Sequence, residues 1–470
     1  MRQLKQLNDR IISRVNANLN GHNFDTEKFV AEALDYEKML KFYAFYGVSH
    51  KHPIYFDFKN SNLAGSYFLG KCTVGRSAIY KSDIRGDELK RRGDNIDCSK
   101  NVPLVDDEII AIRDSLLYKT LVHSHSHNPE SPEEFTIRNT VAAHYANIHG
   151  STVVGCFLGP FATADLMNLH ACIIGEFSYI QAGELFHARI EPGTVWVRDK
   201  NFDLKYQFKK EILEDYVGVN GSHQPRGKIY DFVQQREKDY ERLFDVVNLE
   251  PVEAPDSSSV NRYAVIKGNT EIGKNVLVSQ RAFLDNATMG DGSNAQENSY
   301  IINSHLHGMN VTAHGGKIIH SDVGLKTFVG FNSFLCGKED ARIDIGKGCV
   351  VMPHTIIDAT EPISVPDYHL VWGYVGCQDD LKTQTISFEE FEQIRGEARI
   401  GDLSFTGNGA AFISANKTRI NQILLANGGF FQSEKNSGHA QDGQDISFNI
   451  LQPYSTGENM GIYPSIRIKP

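Results

Sequence analysis

One spacing limits what this 470-residue chain can become. In residues 140–186, small apolar side chains recur at a six-residue step: Ile148 and Val154, then Ile174, Ile180 and Phe186, with Gly155 and Gly175 directly after two of them. That step is neither the alternation of an ordinary strand nor the 3.6-residue period of a helix. It fits a coil that turns a corner every six residues, stacks a buried aliphatic side chain near each corner and places Gly where the backbone bends tightly. The implied fold is a parallel β-helix of short strands.

The same step returns downstream. Ile266, Ile272, Val278 and Leu284 are six apart, as are Val323, Val329 and Leu335, and then Ile345, Val351 and Ile357. Matches in two separate blocks imply two β-helices, one at 53–200 and one at 263–383. Around them the expected segments are an N-terminal helical cap (1–52), a helical segment with a linker (201–262) and a mixed C-terminal tail (384–470).

The first 47 residues carry Leu4, Leu7, Ile11 and Val15 at helical spacing, and then Phe29, Ala33, Tyr36, Leu40 and Tyr43. An uncapped coil exposes strand edges and apolar core, so a helical cap over its open end is the expected role. Leu63 with Leu69, and Val74 with Tyr80, place the first coils after Pro53. Residues 88–112 lose the period and read as an excursion. Ile229, Phe232, Val233, Tyr240, Leu243 and Phe244 give an amphipathic helix within 203–247, and residues 251–259 a linker. In the tail, short helices are expected at 388–395 and 417–426.

A formal net charge of −10 and the lack of a basic stripe argue against general binding to nucleic acid or to an anionic membrane. The N-terminal residues lack the apolar core of a signal peptide and no run approaches a membrane span, so a cytoplasmic protein is expected. Seven scattered cysteines without a CxxC read as buried or free thiols.

Histidine carries the candidate chemistry. Of 18 histidines, five fall between positions 123 and 149 (123, 125, 127, 144 and 149) and four between 305 and 320 (305, 307, 314 and 320). Neutral imidazoles completed by a carboxylate, thiol or water suit a borderline divalent cation such as zinc. A solvated loop at 123–127 and a satisfied half-buried pair at His144 and His149 are the plain alternatives.

The stretch VAAHYANIHGSTVVGCFLG at 141–159 resembles the H-x4-H-G motif of the γ-class carbonic anhydrases, followed by their V-G-x4-[IL]-G coil. Upstream, Arg85 and Asp87 in SDIRGD are similar to that family's R-x-D pair, and His123 stands near its first metal ligand. The resemblance implies a left-handed parallel β-helix of the hexapeptide-repeat superfamily, assembled as a homotrimer with a metal between subunits. It also implies His123, His144 and His149 as ligands, with Arg85 and Asp87 bracing the interface. Leu117 and Tyr118 stand where the family has a Gln-Asp pair, a loss that bears on hydration more than on metal binding.

The second half resembles the same family through Asn294 and Gln296, and through His314 and His320, six apart rather than five. Ile302 occupies the first-ligand position, with His305 or His307 as substitutes. The chain thus reads as a tandem duplication, mainly β, whose copies kept different parts of one site: Arg85, Asp87 and Gln296 in catalytic roles, and His123, His144, His149, His305, His314 and His320 as metal ligands.

Three functions follow. The first is a zinc enzyme, with iron as the other candidate metal, that hydrates carbon dioxide or a related small substrate through a metal-bound hydroxide, with Glu130, Glu133, Glu134 or Glu184 as proton relay. The second is an acyltransferase using acetyl-CoA, similar to many β-helices of this period, with His144 or His314 as general base. The third is a non-catalytic binding or scaffold protein.

Overall fold

The computed structural model describes residues 1–31, 33–48, 55–96, 102–125, 134–221, 223–244, 252–443 and 446–468. The chain forms two compact units: Met1–Thr194 with Leu213–Asp231 and Ile446–Pro470, and Val195–Ile212 with Phe232–Asp445. Each is built on a left-handed parallel β-helix with three walls.

In the first unit the inward side chains stack in three columns. Ile84, Val122, Ile148, Ala164 and Ile180 line the first wall. Ile112, Ile137, Val153, Leu169 and Leu185 line the second. Ile79, Leu117, Ala142, Leu158 and Ile174 line the third.

Passing from Ile148 through Val153 and Leu158 to Ala164 advances five, five and six residues, so the regular coil has 16 residues. The uniform six-residue step is therefore corrected: Val153 and Leu185 point inward, whereas Val154 lies on the outer face and Phe186 is 55% exposed. The shorter steps come from tight corners, each turned by one left-handed residue, as at Gly150 and Leu166 or at Gly155 and Ala171. Gly155 has φ +70°, as its position suggested. Gly175 serves another purpose, because a Cβ there would lie 2.6 Å from the backbone N of Pro192 on the next coil.

One corner of this β-helix is held by a ladder of small polar side chains. The oxygens of Ser61, Ser77 and Ser115 accept from the backbone N–H of Ser77, Ser115 and Thr140 at 3.1, 3.2 and 3.2 Å. Thr140 Oγ1 then accepts from Cys156 N–H at 3.5 Å, and Cys156 Sγ from Cys172 N–H at 3.3 Å. These two thiols are thus structural. Six cysteines are free thiols, and Cys98 lies outside the described residues.

The N-terminal helix, Arg2–Asn18, does not close an end of the coil. Leu4, Ile11, Ile12 and Val15 pack on Ala78, Tyr80, Leu116, Val141, Phe157 and Ile173, the outward residues of the third wall. That wall is apolar on both faces, so covering its outside takes apolar surface out of water. The edge of the first coil is instead paired by the C-terminal strands: Ser447–Leu451 runs antiparallel to Ala44–Val48, and Ile466–Ile468 to Phe56–Lys59. The excursion at 88–112 contains a two-stranded hairpin, Asn95–Ile96 with Val102–Pro103.

In the second unit, Val278, Leu284, Met289 and Ala295 give steps of six, five and six, and the regular coil has 17 residues. The inward side chains form a continuous aliphatic core that includes Val323, Val329, Leu335, Ile345, Val351 and Ile357, as the spacing implied. The amphipathic segment is broken into pieces rather than one helix: Lys210–Tyr216, Lys228–Gln234 and Glu237–Phe244. Phe232 and Tyr240 lie against Phe283, Tyr300 and Phe334, again the outer face of a wall. The last coil is closed by Thr385–Ser387, antiparallel to His369–Val371. The tail adds a capped helix at Phe388–Glu392, a hairpin and a longer helix at Gly409–Ala426, begun by Asn408, whose side chain accepts from Ala411 N–H.

Candidate functional site

The first wall of the first unit carries the candidate site on its outer face. Because Ile84, Val122, Ile148 and Ala164 point inward, the next residue of each strand points outward. Parallel pairing then stacks Arg85, His123, His149 and Asp165 in one column, each on a successive coil. All four are buried despite facing away from the coil's core.

Within that column His149 Nδ1 lies 2.8 Å from Asp165 Oδ1. Asp165 is fully buried, and its other oxygen accepts a short hydrogen bond from the Tyr179 hydroxyl. This carboxylate fixes the tautomer of His149 by accepting a hydrogen bond from Nδ1–H, which leaves Nε2 as the basic nitrogen. The His123 ring stands edge-on to His149 with centroids 5.1 Å apart, and its Nε2 lies 3.7 Å from Asp87 and 3.8 Å from Glu88.

Arg85 and Asp87 form a two-point ion pair, with Nε to Oδ1 at 2.9 Å. Burial disfavours the charged guanidinium, but the adjacent Asp87 carboxylate outweighs it and raises Arg85 above its ordinary value. Arg85, Asp87, His123 and His149 therefore share one neighbourhood. His144 does not join the column: it occupies a corner with φ +48°, and its ring packs on Tyr118 at 4.9 Å and Tyr230 at 6.0 Å. The side chain of His125 and all of His127, Glu130 and Glu133 lie outside the described residues. Glu134 and Glu184 are exposed on the second wall, so neither faces the column as a proton relay.

The second unit repeats one element of this arrangement. His314 Nδ1 lies 2.8 Å from Glu297 Oε2, both buried, at corresponding corners of successive coils. His320 is elsewhere, at a left-handed corner where its Nε2 meets Asn303 Nδ2 at 3.2 Å. Gln296 sits at a turn, its carbonyl accepting from Ser299. His305 is on an outer wall beside His307 and Asp322.

Sequence reading missed Asp165, Tyr179, Glu297 and Asp322. The signal was present in the coil length. Asp165 follows His149 by one 16-residue coil, and Glu297 precedes His314 by one 17-residue coil.

The family described as hexapeptide repeat including loop matches residues 100–221. A solved structure described as a "putative acetyltransferase" from Desulfovibrio desulfuricans G20 is 52% identical, with a TM-score of 0.93, covering 100% of this chain and 99% of that one. The chain belongs to the hexapeptide-repeat family. WeeI from Acinetobacter baumannii AYE is 22% identical over 34% of this chain and 80% of its own, with a TM-score of 0.22, too low to bear on the fold. No curated protein matches the chain. As a hexapeptide-repeat protein, this one is similar over its whole length to the Desulfovibrio protein. Among the described residues no helix is long and apolar enough to cross a membrane.

Proposed function

We propose that this protein is an acyltransferase that moves an acetyl group from acetyl-CoA to a small acceptor bearing a hydroxyl or amine. The observation that carries the reading is the His149–Asp165 pair, an imidazole held at one nitrogen by a buried carboxylate. The likeness to the Desulfovibrio protein gives the pair its direction, toward acyl transfer rather than hydration. His149 replaces His144 as the base, because a buried carboxylate orients the His149 ring, whereas the His144 ring packs against Tyr118 and Tyr230 at a corner outside the column.

In this scheme His149 Nε2 takes the proton of the acceptor as its oxygen or nitrogen attacks the thioester carbonyl. The C–S bond breaks, the acetyl group stays on the acceptor, and the CoA sulfur leaves with the proton from the imidazolium. Asp165 stabilises that imidazolium, and Tyr179 keeps the carboxylate oriented.

Acetyl-CoA binding is tested by thermal unfolding and transfer by thiol release with aminosugars, amino acids and sugars as acceptors. An upward shift in Tm and acceptor-dependent thiol release are expected. No shift at millimolar acetyl-CoA and no thiol release would overturn the reading.

A second reading, metal-dependent hydration, is favoured by the neighbouring imidazoles of His123 and His149 with Asp165 behind one of them. The first unit's column supplies two imidazoles of the three the resemblance calls for, so no hydration step is derived. Metal analysis of protein purified without a histidine tag tests it.

A further inference from the structure

The second β-helix carries a compact donor set that shares no residue with either histidine–carboxylate pair. On one wall the strands alternate: Leu306 and Val323 point inward, so His305 and Asp322 point outward at the same register on adjacent coils. His307 follows directly after that strand, half-exposed, just before Gly308. The rings of His305 and His307 stack with centroids 4.3 Å apart and a 20° tilt. Both imidazoles converge on one oxygen of Asp322: His307 Nε2 is in short contact with Oδ1, and His305 Nδ1 lies 3.9 Å from it.

We propose that His305, His307 and Asp322 bind one divalent transition cation of the zinc type. One ligand atom from each residue falls within 4.8 Å of the other two, about the span of a first coordination shell. Two imidazoles and one carboxylate suit zinc, cobalt or nickel and are a poor set for calcium or magnesium, which take mostly oxygen. The three side chains are partly exposed, so a cation can enter from solvent and keep one open position for water or an exchangeable ligand. Asp344 stands next in the column beyond Asp322, a second carboxylate that would draw a cation to this wall. The bound ion would tie the coil carrying His305 and His307 to the coil carrying Asp322.

The site is independent of the acyltransferase reading, since none of its residues takes part in that chemistry. The test is titration of tag-free, chelator-treated full-length protein with Zn2+ by calorimetry, with Co2+ absorption as a second signal. One equivalent is expected to bind, and binding should weaken at least about tenfold in His307→Gln and in Asp322→Asn. It should persist in His149→Gln, which separates it from the first unit's column. Unchanged stoichiometry and affinity in both His307→Gln and Asp322→Asn would overturn the proposal, as would no Zn2+ binding by the wild type. Circular dichroism of the surface variants checks that their fold is kept.

Discussion

His149 and Asp165 sit one coil apart in the same column, and Nδ1 of the one lies 2.8 Å from Oδ1 of the other. Parallel stacking makes this pairing nearly inevitable once each residue occupies the outward position of its strand. Replacing Asp165 by Asn keeps the shape but removes the negative charge that favours the Nδ1–H tautomer and stabilises the imidazolium. Under the proposed function Asp165→Asn should lower kcat for acetyl transfer by about 10²- to 10⁴-fold with little change in acetyl-CoA affinity. Tyr179→Phe, which removes a hydroxyl shared between the far oxygen of Asp165 and Gln181 Oε1, should lose less. Equal losses in acetyl-CoA binding and kcat would point instead to a structural role.

The Arg85–Asp87 pair is buried, and its two partners are not equivalent to a surface pair. Asp87→Ala should cost about 3 to 5 kcal/mol of unfolding free energy, because it removes the two-point carboxylate partner of a buried guanidinium. Replacing both residues by Met and Leu should recover most of that. Urea denaturation of the single and double variants decides it: an additive double variant would show that the two charges do not depend on each other.

Much of this fold was legible because a β-helix writes its geometry into the sequence at short range. Ile266, Ile272, Val278 and Leu284 lie in the core of the second unit or pack against it, as their spacing implied. The first unit was less legible at Val154 and Phe186, since its 16-residue coil shortens two of three steps and the six-residue count drifts onto the outer face. The helix at Arg2–Asn18 was legible as a helix but not in its place, because the apolar outer face of the third wall shows only once Tyr80, Leu116 and Phe157 are brought side by side. At the site, His123 and His149 were named through the family resemblance, whereas Asp165 needed the coil length. His144, drawn by local motif spacing, went to a corner against Tyr118 and Tyr230.

The corner ladder makes a sharper stability test than any core residue. Ser115 Oγ accepts from Thr140 N–H at 3.2 Å and donates to the Arg113 carbonyl at 2.8 Å. Ser115→Ala removes both and should cost about 1 to 3 kcal/mol, measured by denaturant unfolding. Ser115→Cys should cost clearly less, because Cys156 and Cys172 already fill the equivalent corner positions of later coils. If Cys proves as costly as Ala, the ladder is not held by the side-chain acceptor.

Lys317 gives the second unit a pH dependence of unusual sign. It stands between Tyr300 and Phe334 on the outer face of one wall, wholly buried, with its ammonium donating to the Gly315 carbonyl and 5.9 Å from the Tyr300 ring. Burial disfavours the charged amine and brings it down to about 7, from an ordinary value near 10.5. Between these two values the unfolded chain holds a proton that the folded chain has released. The unfolded state therefore binds more protons there, and unfolding free energy from this group rises as pH increases from about 7 toward 10. Below pH 7 both states are protonated and the folded state bears the full cost of a buried charge. Lys317→Met keeps the length and removes the charge, so it should stabilise more at pH 6 than at pH 9. Urea unfolding of both proteins at the two pH values measures the difference, and a Lys317→Met effect that is the same at pH 6 and pH 9 would show that this lysine stays charged in the fold.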